Sequence, residues 1–497
     1  MAVELGYSPE VDDLVKRTTA FIHEVVLPIE NANDGDITAA GGDDLRRDLN
    51  SQAKELGIFA PHAPVEFGGH ALSMSDRVPV FEAGGYSTFG PAALHIGAPD
   101  EGNVHMLAHI ADDEQKLKYL APLANGDVRS AFAMTEPAPG AGSDPNQLRT
   151  EATRVDGGWK INGEKRFITG AEGAGFYIIM ARTAGAPGDR GGATMFLAPG
   201  DTPGIEVTRH IHTTDRAMIG GHCEVRFTDV FVPDADVLGE VYQGYRYAQV
   251  RLGPARMTHV MRWLGVAVRC HEVAVDYVAH RNGFGGTLGD LGMIQQMVAD
   301  NEIDLAASRA LLVKACYELD QGRHASSETS IAKTFAAEAY SRIADRSIQM
   351  CGGLGVSELA RRTARFIALT TYGGREEAEG VIGRVRRIHD QVAGVLPSGR
   401  PYGANDPALL AWVHVTEAWS FLNAWIRYGE PGMSMADQDR YFEEMTVVGA
   451  MLGADPMPRS RDEARRMLHS GRPALLVDER TREVAHLVLN QSARSRA

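Results

Sequence analysis

The sequence predicts an α+β chain in which a β-rich block lies between two helical ones and an all-α segment follows. Three observations predict it. Up to about residue 125, apolar residues recur at helical spacing between glycine pairs such as Gly68-Gly69 and Gly84-Gly85. Near Ser130 the pattern changes to short apolar runs rich in strand formers, and from Gln243 the helical spacing returns.

In chain order, Asp12, Asp13, Leu14, Phe21 and Val25 open an amphipathic helix, and Asp112-Asp113 precede a second one, EQKLKYLAPLA. Asp156-Gly157 and Asn162-Gly163 are turn signals around a short strand, Trp159-Lys160-Ile161. FYIIMAR (176–182) and TMFLAP (194–199) read as buried strands. In EVRFTDVFVP, Val225, Phe227 and Phe231 alternate with Arg226 and Thr228, as in a half-buried strand. Further on, Ile303, Ala306, Ala310, Val313 and Tyr317 step by three or four and mark one buried helix face. The expected domains are 1–125 helical, 126–240 β, 241–358 helical and 359–497 a helical segment of its own character, with a Pro/Gly-rich stretch at 396–407.

Composition narrows the function. The 497 residues carry 50 Lys+Arg against 65 Asp+Glu, a formal charge of −15, with 44% hydrophobic residues, as in a folded globular protein. Phosphate backbones need a clustered basic face, so a nucleic-acid partner is not expected. No stretch nears the length of a membrane span, and the acidic N-terminus lacks a signal core; a cytoplasmic protein is expected. Four cysteines without ligand spacing, with no His-x-x-x-His or His-Glu-x-x-His spacing read among the histidines, predict no metal centre.

Two strings concentrate the chemistry: FAMTEPAPGAGSD (132–144) and WKINGEKRFITG (159–170). Each alone reads as a loop between strands, or as small residues that let backbone approach a flat polar ligand. Together they resemble the acyl-CoA dehydrogenase family over about residues 1–358. FTDVFVPDADVLGE (227–240), RNGFGG (281–286) and QMCGGLG (349–355) continue the resemblance in the family's order, and LGPARMTHVMRWLG (252–265) is similar to its bacterial branch for longer or unusual acyl groups.

The resemblance implies an N-terminal helical domain, a middle β-barrel domain, a C-terminal helical bundle and bound FAD. It places Phe132, Met134 and Thr135 along the isoalloxazine, Ser143 at the mouth of the site, and Phe167 and Thr169 at the other flavin edge. Arg281 would meet the FAD pyrophosphate of a neighbouring subunit in a homo-oligomer, while Phe284, Gln349, Gly352 and Gly353 frame the adenine half. One by one these could be a helix-end arginine or a C-cap glycine; their order is what argues against that. The implied reaction desaturates an acyl-CoA at the α,β bond: a carboxylate takes the α-proton, flavin N5 accepts the β-hydride, and an external acceptor such as electron-transfer flavoprotein takes the electrons.

The sequence departs from the family at the carboxylate. In TTYGGREEAEGVIGR (370–384) the base position is Gly373, with Glu376 and Glu377 nearby, and the alternative position on the earlier helix holds Ala255 and Arg256. From about Leu359 the chain instead resembles only the later part of the domain of the latex clearing protein and mycophenolate-pathway oxygenase B family, all-helical and haem-binding in some members, so the dehydrogenase-like C-terminal helical domain is expected to be truncated at 358. The junction falls near Ser357–Leu359. His414 would be the first haem-ligand candidate and His389 the second; each also reads as a core or surface histidine, and Trp412, Trp419, Phe421 and Trp425 as helix core. Three functions stay open: the dehydrogenase, a non-catalytic flavin or acyl-CoA binder, and a haem-dependent oxygenase acting through the tail.

Overall fold

The computed structural model describes residues 6–355, except 143, 212 and 214, and residues 382–472, except 384, 387–388, 391–392, 396–400 and 429–430. It divides into two compact units, Met1–Gly352 and Gly353–Ala497.

The first unit begins with helices. Ser8 caps α1 (Pro9–Phe21) by accepting the Val11 N–H, and Pro9 sits in the first turn, where no N–H is missed. Val11, Leu14 and Phe21 face inward. Three further helices matter for the site: α2 (Gly42–Glu55), α3 (Met74–Gly85) and α4 (Asp100–Ile110).

The sheet holds eight strands: β1 (Ser130–Ala133), β2 (Glu151–Val155), β3 (Gly158–Thr169), β4 (Phe176–Arg182), β5 (Ala193–Pro199), β6 (Ile205–His210), β7 (His222–Pro233) and β8 (Val237–Leu238). The order is β6-β7-β3-β2-β4-β5-β8, with β1 parallel to β4. The unbroken apolar runs of β4 and β5 have a direct cause. Phe176, Ile178, Met180, Met195 and Leu197 face one core; Tyr177, Ile179, Ala181, Phe196 and Ala198 face another. Both faces are dry, so the usual polar alternation is absent.

Two strand expectations change. Asn162-Gly163 is not a turn: β3 runs through it, and the register against β7 shifts between Ile161 and Gly163. Opposite that irregularity Asp229 holds a φ of 51°, which flips the phase of β7. Val225, Phe227, Val230 and Val232 therefore point inward, and Phe231 points out.

A bundle of α5 (Gly244–His280), α6 (Gly292–Asp320) and α7 (Ser326–Met350) follows, with a hairpin of β9 (Asn282–Gly283) and β10 (Gly286–Thr287) between α5 and α6. α5 crosses α3 at contact distance: a Cβ on Gly265 would lie 2.1 Å from the Glu82 carbonyl oxygen. On α6 the buried face is not the one expected. Asn301, Asp304, Leu305, Ser308 and Leu312 face inward, while Ile303 and Tyr317 are exposed. Asp304 accepts from Arg342 at 2.6 Å and Arg346 at 2.8 Å, so a polar network occupies the inner face. These guanidinium partners outweigh burial and hold the Asp304 carboxyl below its usual range.

In the second unit, a short hairpin of β11 (Ala393–Val395) and β12 (Pro401–Gly403) precedes α8 (Pro407–Tyr428), α9 (Met435–Leu452) and α10 (Arg461–Gly471). Val415, Ala418, Leu422, Phe442 and Ala464 form its main core, with Trp419 against it. Phe421 and Trp425 are exposed, so only part of the aromatic helix packs inward as expected. No helix among the described residues is long and apolar enough to cross a membrane.

Candidate active site

The first unit contains a cleft of about 850 Å³ between the N-terminal helices, the sheet's β1–β3–β7 end and α5. This volume suits a drug-sized or cofactor-sized ligand. Phe132, Met134, Thr135, Phe167 and Thr169 all line it.

The loop after β1 is fixed by a buried ion pair. The Glu136 carboxylate accepts from the N–H groups of Ala141 (3.1 Å), Arg149 (2.7 Å) and Thr150 (2.8 Å) and from Lys165 Nζ at 3.0 Å. Lys165 also donates to the Met134 and Met180 carbonyls. Both side chains are shut off from water, at 0% and 2% exposure. Burial pulls the Lys165 ammonium down to about 8 against the attraction of Glu136. Burial alone would raise Glu136, yet Lys165 and the hydrogen bonds of Thr150 and Arg149 hold it below its usual range. Gly140 is required by this knot, since a Cβ there would lie 2.4 Å from a Glu136 oxygen.

The loop is then tied to β3. Arg166 N–H donates to the Thr135 carbonyl, and the Thr135 hydroxyl donates to the Arg166 carbonyl at 2.6 Å. The next residue, Phe167, holds a φ of 58° and leaves its ring 54% exposed. Such backbone is uncommon for a bulky residue and marks a functional constraint. Thr169 Oγ1 lies 3.0 Å from His222 Nδ1, and His222 Nε2 lies 3.8 Å from Asp215. Hydrogen bonding to His222 holds the Asp215 carboxyl down against burial. The sequence reading missed this His222–Asp215 pair: its members lie seven residues apart with no motif spacing, and only the fold brings Thr169 of β3 to it.

The fourth wall is α5. Arg251, Ala255, His259 and Arg262 step by four, four and three along one stripe. Arg251 packs 4.2 Å from the Phe132 ring centre. Burial, with Arg262 and Arg251 adding to it, pushes His259 down to about 3, so its imidazole is neutral.

Among the described residues three carboxylates line the cleft, and all are engaged. Glu30 accepts from Ser87, Thr88 and Arg269. Asp100 accepts from the Ser130 N–H and hydroxyl. Asp215 faces His222. Gly373, Glu376, Glu377 and Ser143 lie outside the described residues.

The remaining expected site residues are not in the cleft. Arg281 and Phe284 are exposed on the β9–β10 hairpin, and Gln349, Gly352 and Gly353 are exposed at the end of α7 and just beyond it. A small core of Ala274, Val278 and Met350 joins the hairpin's base to the end of α7. Arg281, Phe284, Gln349 and Gly352 therefore share one end of the bundle.

No group of three or more potential ligands that could hold a metal occurs among the described residues. His105 and His109, one turn apart on α4 with ring centres 4.2 Å apart, form a His-x-x-x-His pair, which corrects the expectation that this spacing is absent. In the second unit His414 is 4% exposed and its Nε2 is 2.9 Å from the Met445 carbonyl. Burial lowers its pKa, so the ring is a neutral donor to backbone in a helical core. His414→Leu should cost about 0.5–1.5 kcal/mol by removing that hydrogen bond. Titrating haemin into the unmodified chain should give no histidine-ligated spectrum; one that the variant abolishes would assign His414 to haem.

The cleft and its motif residues define a chain built on the three-part plan of the flavin-dependent dehydrogenases of acyl thioesters. Models of the acyl-CoA dehydrogenase N-terminal, middle and C-terminal domains match residues 8–127, 131–230 and 242–383. The chain belongs to the acyl-CoA dehydrogenase family. It is 33% identical over 388 residues to "Probable acyl-CoA dehydrogenase FadE2" of Mycobacterium tuberculosis, covering 76% of this chain and 94% of that one. It is 32% identical over 382 residues to mouse acyl-CoA dehydrogenase family member 11, covering 73% of this chain and 48% of that longer protein. Butyryl-CoA dehydrogenase from Megasphaera elsdenii superposes with a TM-score of 0.64 at 26% identity, covering 76% of this chain and 98% of that one. Residues 357–497 match the model of the ER-bound oxygenase mpaB/B'/rubber oxygenase catalytic domain. The two models overlap at 357–383, a stretch that includes Gly373.

Proposed function

We propose that the first unit binds FAD and an acyl-CoA thioester in the cleft and desaturates the thioester at its α,β bond. The observation that carries this is the meeting of Phe132, Met134, Thr135, Phe167 and Thr169 around one cavity. The residues suit a flavin: Phe167 presents an exposed ring, with the Arg166 guanidinium 5.2 Å from its centre, and the Thr135–Arg166 tie holds the polar loop edge beside it. FAD, when bound, supplies the hydride acceptor. Thr169, backed by His222 and Asp215, offers a hydroxyl at the flavin edge; the family resemblance assigns Ser143 to the mouth of the site. Arg281, Phe284, Gln349, Gly352 and Gly353 receive the pyrophosphate and adenine of FAD held by a neighbouring subunit of a homo-oligomer. Exposed Met293, Ile303 and Tyr317 on α6 give that assembly an apolar surface; a monomer by light scattering would contradict it. Electrons leave to an external acceptor of the electron-transfer flavoprotein kind, in a cytoplasmic setting.

The base is the weak step. Gly373 occupies its position, and the cleft's three described carboxylates are committed elsewhere. This favours a second reading, a flavin and acyl-CoA binder with little turnover. Anaerobic addition of a medium-chain acyl-CoA to the FAD-loaded protein separates the two. The dehydrogenase reading expects slow bleaching of the flavin with enoyl-CoA formed in equal amount; spectral perturbation without bleaching favours the binder. No perturbation at all refutes both.

A further inference from the structure

Arg251 and Arg262 stand three helical turns apart on α5, and both line the cleft. They are 8% and 6% exposed, and among the described residues neither has a carboxylate within 4 Å. Their partners are neutral. Arg251 donates to Asn103 at 2.7 Å and to the Pro99 carbonyl at 3.2 Å; Arg262 donates to the Ile96 carbonyl at 2.7 Å and its other terminal nitrogen meets His259 at 3.0 Å. Ile96 and Pro99 lie three residues apart, so the two guanidinium groups converge on one short turn. Each guanidinium has five N–H donors and leaves some of them unused.

A buried cation without an ionic partner is costly, and arginines are seldom fully buried unless paired. The nearest acids do not resolve this. Asp100 is taken by Ser130, and one oxygen of buried Glu101 accepts from Thr258 while it also lies 4.0 Å from Arg77. Asp100 and Glu101 therefore leave Arg251 and Arg262 without a bonded acid. His95 is 3% exposed, also lines the cleft, and its Nε2 has no hydrogen-bond partner.

We propose that the cleft selects an acyl-CoA whose acyl chain carries a carboxylate, seated between Arg251 and Arg262, with His95 also lining the cleft. The planar forks of two arginines suit carboxylate oxygens, and an unsubstituted alkyl chain would leave them unsatisfied. This inference rests on the acyl-CoA reading of the cleft.

The test compares affinities of the full-length, FAD-loaded protein for matched thioesters: succinyl-, glutaryl- and adipoyl-CoA against butyryl-, pentanoyl- and hexanoyl-CoA, by calorimetry. Within one of these pairs the carboxylated member should bind roughly 10- to 100-fold more tightly, as expected for a charge-assisted hydrogen bond. Arg262→Met should erase most of that preference, read as the ratio of the two affinities in the variant that retains FAD, and Arg262→Lys should keep part of it. Equal or tighter binding of the alkyl member in every pair overturns the proposal, whatever the variants do. Binding of neither member, with FAD retained, overturns the acyl-CoA reading itself.

Discussion

Lys165→Met is expected to destabilise the first unit by about 3–5 kcal/mol and to strip it of FAD, because it leaves the Glu136 carboxylate buried without its cation. Glu136 holds one backbone N–H within the motif loop and two just after it, so its loss of charge would release that loop. Denaturant melts of the first unit's signal and FAD retention through gel filtration check this. Loss of FAD without loss of stability would place Lys165 at the ligand, and no change in either would show that the pair is dispensable. The same pair sets an acid limit. Because Glu136 is held below its ordinary value of 4.5, its contribution is fully present above that pH. It disappears as the pH falls through the lowered value. Stability should therefore drop on acidification below about pH 4.5, and Glu136→Gln should blunt that slope.

Gly373→Glu is expected to raise the rate of flavin reduction by acyl-CoA by roughly 10²–10⁴-fold, the usual range for a positioned general base. The comparison is stopped-flow bleaching of the FAD-loaded protein before and after substitution. Rapid reduction of the unmodified chain would show that another base reaches the α-carbon; Glu376→Gln should then abolish it. A Gly373→Glu protein as slow as its parent would mean that this segment does not pass the reacting carbons.

How much of this was legible in the sequence follows from where each signal is stored. β4 and β5 were readable because strands buried on both faces keep unbroken apolar runs, and the motif loops were readable because their residues line the cleft in order. Phe231 was misplaced because one residue with positive φ, Asp229, inverts the alternation after it. The face of α6 was misread because Asp304 is buried against Arg342 and Arg346, which lie some forty residues later; periodicity counts such a residue as outward. Arg251 and Arg262 were visible as residues eleven apart on one helix face. Their lack of acidic partners appears only once α5 packs against the Ile96–Pro99 turn.

The most direct test of the central claim is the visible spectrum of the full-length protein after incubation with FAD and desalting, recorded before and after anaerobic addition of acyl-CoA. A retained flavin spectrum that acyl-CoA perturbs is the predicted result. A colourless protein that takes up no FAD, or a haem spectrum in its place, would contradict it.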